Sequence, residues 1–438
     1  MKVTVTETTI VRPFSETPRE KIWLSNMDLL HGRIHLPTIY LYKPDGSAGD
    51  NFFDGKALKE GLAKVLVTFY PAAGRLAKDD KGRIEIDCNG AGVLFREAVT
   101  DLAMSDLGEF MPGTDLLQFV PRVDYSADMS SYPLFVTQVT RFSCGGVCVG
   151  TGWHHTVADG EGALSFINAW ADCARGLPVP VQPYLDRTLL RARSPPSPKF
   201  HHVEYDPPPT MVSPPPPSAA GNDGATSMAI LEITPEQINS LRDQITRDNV
   251  TKAKYSTYQI LTAHIWRAVT RARDLAADQP TKLHISTDGR SRLNPPLPAG
   301  YLGNCVFHAT PTAEAGELVS EPLIRTVDRI HGAIKQMDDE YLRSAIDYLE
   351  DPNDSSAIMQ VPGTCRTPNL KIISWIRLPF ECADFGWGRP IFNRPANLFE
   401  GKGNILPKYS VDGNLSLALC LENYAMENFR KTFYEVDG

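Results

Sequence analysis

The sequence predicts an α/β protein of two similar-sized domains, each a mixed β-sheet flanked by helices, joined by a long crossover linker. Three observations carry this. The chain has 438 residues, too long for one ordinary domain and enough for two of about 200. Residues 195–224 (PPSPKFHHVEYDPPPTMVSPPPPSAAGNDG) are crowded with proline, then with glycine and small polar residues, which suits an extended linker and neither a helix nor a central strand. On either side of it, strand and helix patterns are mixed. The expected units are therefore 1–194, a linker at 195–224, and 225–438. No internal repeat is visible.

The elements follow from periodicity and end signals. Residues 34–42 and 145–153 are rich in β-branched and aromatic residues and read as strands. A helix follows Asp54, with Leu58, Leu62, Val65 and Leu66 at helical spacing and Pro71 as a stop. A second helix is expected over 161–175; Leu164, Ile167, Ala171 and Ala174 share one face, and Gly176 ends it. In the second half, Ser256 with Gln259 forms a capping-box signature, opening a helix with Leu261, Ile265 and Ala268 on one stripe. One further helix is expected over about 321–349.

Composition narrows the function classes. The chain is 42% hydrophobic and 22% charged with a net charge of -8, an ordinary globular balance without the basic face that nucleic-acid binding requires. The first residues alternate and carry charge, and lack the apolar stretch of a signal peptide. No run of about 18 apolar residues occurs, so no membrane span is expected. The eight cysteines are scattered, and the pair at 144 and 148 has no partners for a zinc site, so free thiols in a reducing, cytoplasmic setting are expected and no bound metal.

The sharpest chemical feature is WHHTVADG (Trp153–Gly160), where a predicted strand ends and a helix begins. A side chain at such a junction is rigidly held and can be aimed into a cleft. Histidine suits a general base because its unperturbed pKa lies near neutrality, and Asp159 stands where it can cap the helix. Taken alone, the two adjacent histidines are also compatible with a satisfied hydrogen-bonding pair and, less well because no third ligand is signalled nearby, with half of a metal site. A Ser-His-Asp hydrolase is disfavoured because the chain has no GxSxG elbow. The second feature is DFGWGRP (Asp384–Pro390), whose glycines permit a tight loop around one tryptophan; alone it is compatible with a purely structural turn.

Together, HxxxD near the middle and DFGWG near the end resemble the BAHD acyl-CoA transferases. YPAAGRL (Tyr70–Leu76), KYSTY (Lys254–Tyr258), AHIWR (Ala263–Arg267), DGRSR (Asp288–Arg292) and YLGN (Tyr301–Asn304) are similar to that family in the same order along nearly the whole chain. FINAWAD (Phe166–Asp172), DRTLLRAR (Asp186–Arg193), YLRSAIDYL (Tyr341–Leu349) and SWIRLP (Ser374–Pro379) resemble its hydroxycinnamoyl-CoA:shikimate/quinate branch.

The resemblance implies a chloramphenicol-acetyltransferase-like fold with a channel between the domains, and acyl-CoA as co-substrate with no permanently bound cofactor. It implies a monomer acting on a hydroxycinnamoyl-CoA and a hydroxylated, carboxylated acceptor such as shikimate. Quinate, another hydroxy acid, an alcohol or an amine are the alternative acceptors. His155 becomes the general base and the Trp387 indole N–H the oxyanion donor. Asp159 becomes structural, as does Asp384 through a salt bridge to an arginine of Asp288–Arg292. Arg377 grips the acceptor carboxylate, with His35, Thr38 and Tyr40 lining the acceptor pocket. Lys254, Ser256 and Thr257 sit at a helix N-terminus suited to the phosphates of coenzyme A. The sequence departs from the branch at Thr156, where a second histidine is usual, at Leu36, where threonine is common, and over 393–400.

Overall fold

The computed structural model describes residues 2–44, 51–212, 225–248, 253–350, 362–408 and 413–435. The first half runs β1 (Val3–Val11), β2 (Lys21–Trp23), α1 (Asn26–Leu29), β3 (His35–Tyr42), α2 (Gly55–Thr68), β4 (Arg75–Lys78), β5 (Ile84–Asp87), β6 (Val93–Thr100), α3 (Thr114–Leu117), β7 (Phe135–Arg141), β8 (Val147–His154) and α4 (Gly160–Ala174). The second runs β9 (Thr226–Ile233), α5 (Pro235–Asp248), α6 (Thr257–Ala272), β10 (Pro280–Asp288), β11 (Val306–Ala309), β12 (Thr312–Glu314), α7 (Ala315–Ser320), α8 (Leu323–Gln336), α9 (Asp339–Tyr348), β13 (Leu370–Ser374), β14 (Phe392–Pro395), β15 (Lys402–Pro407), β16 (Leu415–Glu422) and α10 (Asn423–Thr432).

Two large mixed sheets organise these elements, as the sequence predicts. The first has the order β1-β6-β7-β8-β3-β14, parallel only between β6 and β7. The second has the order β11-β10-β13-β15-β16-β9, parallel on both sides of β13. A small sheet, β2-β5-β4, completes the first half. The helix boundaries have local causes. Asp54 caps α2 by accepting from the Ala57 N–H, Asp159 caps α4 through the Gly162 N–H, and the Ser256–Gln259 capping box opens α6 as expected. Gly176, at φ 78°, supplies the left-handed residue after α4. The single helix expected over 321–349 is two: Asp338 caps a new helix by accepting from the Tyr341 N–H, so the chain breaks after Gln336.

The halves interlock. β14 belongs to the second half in sequence but pairs with β3 of the first sheet, Phe392 opposite Leu41 and Pro395 opposite Thr38. The unusual segment 393–400 thus begins as an edge strand of the first sheet. Leu302, Phe380 and Phe385 join the core of the first half, and Met27, Leu30 and Leu190 join that of the second. The described part of the proline-rich segment lacks regular structure yet is docked. Ser197 N–H donates to Asp347 at 2.8 Å, the buried His202 ring lies between Glu204 and Ser344, and Lys282 Nζ donates to the Val203 carbonyl at 3.0 Å. The remainder of that segment, 213–224, lies outside the described residues.

Candidate active site

Strand register separates the two histidines. β8 pairs antiparallel with β3, His154 opposite His35 and Trp153 opposite Leu36, and facing residues share one side of the sheet. His154 therefore points toward His35, Tyr125 and Tyr132, fully buried, with its ring centroid 5.1 Å from that of His35 and 6.0 Å from that of Tyr132. His155, one residue past the strand, turns away from that cluster and keeps some accessible surface. Its ring stacks on His31 with centroids 3.9 Å apart and planes 6° from parallel. Nδ1 is enclosed, which leaves Nε2 as the ring nitrogen able to meet a substrate.

The turn that carries His155 is pinned at successive backbone carbonyls. Asn304 Nδ2 donates to the His155 carbonyl at 2.8 Å. Arg187 donates to the Thr156 carbonyl at 3.4 Å and the Val157 carbonyl at 2.7 Å. Both donors are held by the buried Asp28, which accepts from Asn304 and pairs with Arg187 at 2.9 Å. Asp159 locks the far end. Its two oxygens accept from Arg290 at 2.8 and 2.9 Å, from the Cys305 N–H at 2.9 Å and from the Gly162 N–H at 3.2 Å. Asp159 is thus a bidentate structural anchor with no bond to His155, and no His-Asp dyad forms.

Electrostatics keep His155 neutral. Burial pushes its pKa down from 6.5 to about 4; the ring's interaction with its own backbone opposes this, the positive Lys371 and Lys402 add to it, and Asp159 opposes it least. At neutral pH the imidazole is therefore unprotonated, the form a base requires. Burial also holds His31, His154 and His308 well below the usual range, His35 at about 4 and His284 at about 3. This has a consequence for stability. Six histidines titrate near 6.5 when unfolded but lower when folded. Between about pH 6.5 and 4 the unfolded state holds more protons, so stability falls as pH falls through that window. The melting temperature is expected to drop steeply from pH 6.5 to 4, with uptake of several protons on unfolding; a flat profile there would contradict the burial described.

Several expected site residues stand elsewhere. Leu36, Thr38 and Tyr40 alternate onto one face of β3, but His35 lies on the other. Both ring nitrogens of His35 are engaged, Nδ1 with the Tyr125 hydroxyl and Nε2 with the Pro133 carbonyl, each at 2.8 Å, so it is a structural residue and not an acceptor ligand. Trp387 packs on Phe53 with centroids 5.0 Å apart, and Phe53 packs on Tyr42 at 4.4 Å. Tyr42 is at the far end of β3, about 24 Å of strand from His35, so the Trp387 indole is out of reach of His155 and cannot be its oxyanion donor. Asp384 forms no salt bridge to Asp288–Arg292, because Arg290 serves Asp159 and Arg292 donates to the Ile334 and Met337 carbonyls. Asp384 instead accepts from the Gly386 and Gly388 N–H groups at 2.8 and 3.1 Å, closing a loop in which both glycines have positive φ. The DFGWG motif is structural, seating Phe385 against Trp170 while Tyr42 donates to the Ala383 carbonyl.

Arg377 is exposed in the turn after β13, and among the described residues it makes no ion pair with Glu381. Its neighbour Leu378 lies against Gly160, and Asn168 donates to the Pro379 carbonyl, so this turn covers the start of α4 beside Asp159. At α6, the Ser256 hydroxyl is occupied as a cap and Thr257 accepts from Arg242 at 3.0 Å, with Lys254 exposed alongside. Among the described residues, no group of His, Cys, Asp and Glu could hold a metal ion, and no helix is long and apolar enough to cross a membrane.

The profile of the Transferase family matches residues 1–436. The chain is 50% identical to shikimate O-hydroxycinnamoyltransferase of Nicotiana tabacum, over 99% of this chain and all of that one. It is 48% identical to a hydroxycinnamoyl-CoA:5-hydroxyanthranilate N-hydroxycinnamoyltransferase of Avena sativa and 46% identical to rosmarinate synthase of Plectranthus scutellarioides, each over the full length of both chains. Its fold is that of vinorine synthase, with a TM-score of 0.75 at 23% identity, covering 98% of this chain and 96% of that one. The family match and these relatives make the chain an acyl-CoA-dependent acyltransferase. The chain belongs to the BAHD branch of the Transferase family.

Proposed function

We propose that the chain transfers a hydroxycinnamoyl group, p-coumaroyl or caffeoyl, from coenzyme A to a hydroxyl of shikimate or a related hydroxy acid. The observation that carries the reading is His155: a neutral imidazole with one nitrogen open, on a turn tethered at three carbonyls. Nε2 takes the proton of the acceptor hydroxyl as its oxygen attacks the thioester carbonyl. The tetrahedral intermediate collapses, the C–S bond breaks, and the CoA thiolate takes the proton back from the imidazolium. An imidazolium with a pKa of about 4 gives up that proton readily. No acyl-enzyme is required. Lys254 and the α6 N-terminus face the phosphates of coenzyme A, and Thr38 and Tyr40 line the acceptor side of β3.

Arg377 sets the acceptor class in this reading, since its planar fork matches a carboxylate in a way that lysine cannot copy. The test is transfer from p-coumaroyl-CoA, followed by free thiol and product mass, by wild type, Arg377→Ala and Arg377→Lys. With shikimate, Arg377→Ala is expected to lose about 2–4 kcal/mol in kcat/KM, and Arg377→Lys to recover part of it. A neutral alcohol should lose much less. Equal losses on both acceptors would return Arg377 to the scaffold.

A further inference from the structure

The second sheet has one face on the helical core and another that is unexpectedly basic. His284 of β10 stands opposite Lys371 of β13, and Lys371 stands opposite Lys402 of β15. Facing residues point to the same side, so these three side chains form a row across three strands. The intervening residues, Leu283, Leu370, Ile372 and Ile405, point to the core with the helices. Lys371 Nζ lies 2.8 Å from His308 Nε2, and the His308 ring is 6.2 Å from that of His284. His308 stands on β11, which follows Asn304, and Asn304 donates to the His155 carbonyl at 2.8 Å, so the row lies on the strands that lead to the His155 turn; both lysines also lower the pKa of His155 and of His31. Neither lysine is sealed from water; Lys371, Lys402 and His155 all retain accessible surface.

Two ammonium groups side by side in such a wall repel each other. Burial, and then Lys371, push the Lys402 pKa down to about 8, against a pull from the Cys365 thiol. Among the described residues Lys402 has no ion pair with a carboxylate. A small anion between the two would relieve both the repulsion and the desolvation.

We propose that Lys371 and Lys402, backed by His308, form a carboxylate-binding subsite beside His155 that takes a second carboxylate of the acceptor. This rests on the transferase reading above, with Arg377 holding the first carboxylate, and it makes the preferred acceptor a hydroxy acid with two carboxylates. A carboxylate held there would lie on the same side of the second sheet as the acceptor that His155 deprotonates.

The test uses the full-length chain, its Lys402→Met and Lys371→Met variants, and two readouts. The first is kcat/KM with p-coumaroyl-CoA for malate and tartrate against shikimate. The expected result is a preference for a diacid in the wild type of at least about tenfold, the worth of one charge-assisted contact, and a fall of similar size in the diacid-to-shikimate ratio in each variant. Methionine fills a similar volume without charge, so the fold should hold, and a thermal melt of each variant checks this. The second readout is calorimetric binding of succinate, which has no hydroxyl to acylate. Binding that weakens at least tenfold in Lys402→Met supports the subsite even if no acceptor releases thiol, an outcome that would count against the transferase reading alone. Transfer with no diacid preference, or a ratio unmoved by either substitution, overturns the subsite, as does the absence of succinate binding. If instead malonyl-CoA with a neutral alcohol is the combination that depends on Lys402, the carboxylate belongs to the acyl group and the acceptor assignment is wrong.

Discussion

Replacing His155 with alanine is expected to lower turnover by about 10²–10⁴-fold, the usual worth of a positioned general base, with little loss of stability. The ring is partly exposed and Nδ1 has no partner outside its own residue, so its removal breaks no hydrogen bond to another described residue. His154→Ala should behave in the opposite way. That ring is fully buried among His35 and Tyr132, so its loss leaves a cavity and destabilises the protein while turnover of the folded fraction changes far less. The pH profile adds a second signature. The base works when neutral, and its pKa is pushed down to about 4, so kcat/KM should be level through neutral pH and decline only as pH falls toward 4. An acid limb at the ordinary histidine value of about 6.5 would place the base elsewhere, and so would a His155 variant with normal turnover.

Asp159→Ala is expected to destabilise the fold by about 3–5 kcal/mol, because it leaves the buried Arg290 guanidinium without its bidentate partner. Asp288 and Glu161, at 3.1 and 3.9 Å from Arg290, offset part of this. The same substitution frees the Cys305 and Gly162 N–H groups and so loosens the turn that aims His155. Turnover should therefore fall as well, through positioning. Denaturation midpoints and the pH profile distinguish this from a catalytic dyad. Asp159 makes no bond to His155 and raises its pKa only slightly, so Asp159→Asn should leave the acid limb of the rate close to its wild-type position. A limb displaced well to lower pH would show that the carboxylate acts directly on the base.

What the sequence made legible was local. A strand running into a turn and an aspartate-capped helix can be read from residues 147–174 alone, and the structure has them there. The capping box at Ser256 is legible for the same reason. The choice between His154 and His155 became physical only with the β3–β8 register, which puts neighbouring side chains on opposite faces. The tethers of the His155 turn were not legible. Asp28, Arg187, Arg290 and Asn304 reach it from sequence separations that no local pattern encodes, although DRTLLRAR, DGRSR and YLGN marked three of them as members of family-like segments. The Trp387 expectation failed because a motif gives residue types and not distances; its loop closes on Phe53 at the other end of the sheet. Lys371 and Lys402 each stand singly in short apolar strands, where an isolated lysine reads as a solvent face. Their meeting depends on a parallel pairing between two segments distant in sequence, Leu370–Ser374 and Lys402–Pro407.

The central claim is direct transfer from thioester to acceptor with His155 as base. It is tested most directly by acid-quenching the enzyme during turnover of p-coumaroyl-CoA, with and without acceptor, and recording intact protein mass together with thiol and ester released. The account predicts unmodified protein throughout, thiol and ester formed in equal amounts with acceptor, and both lost together in His155→Ala. A p-coumaroyl adduct on the protein, or thiol released without a matching ester, would contradict it.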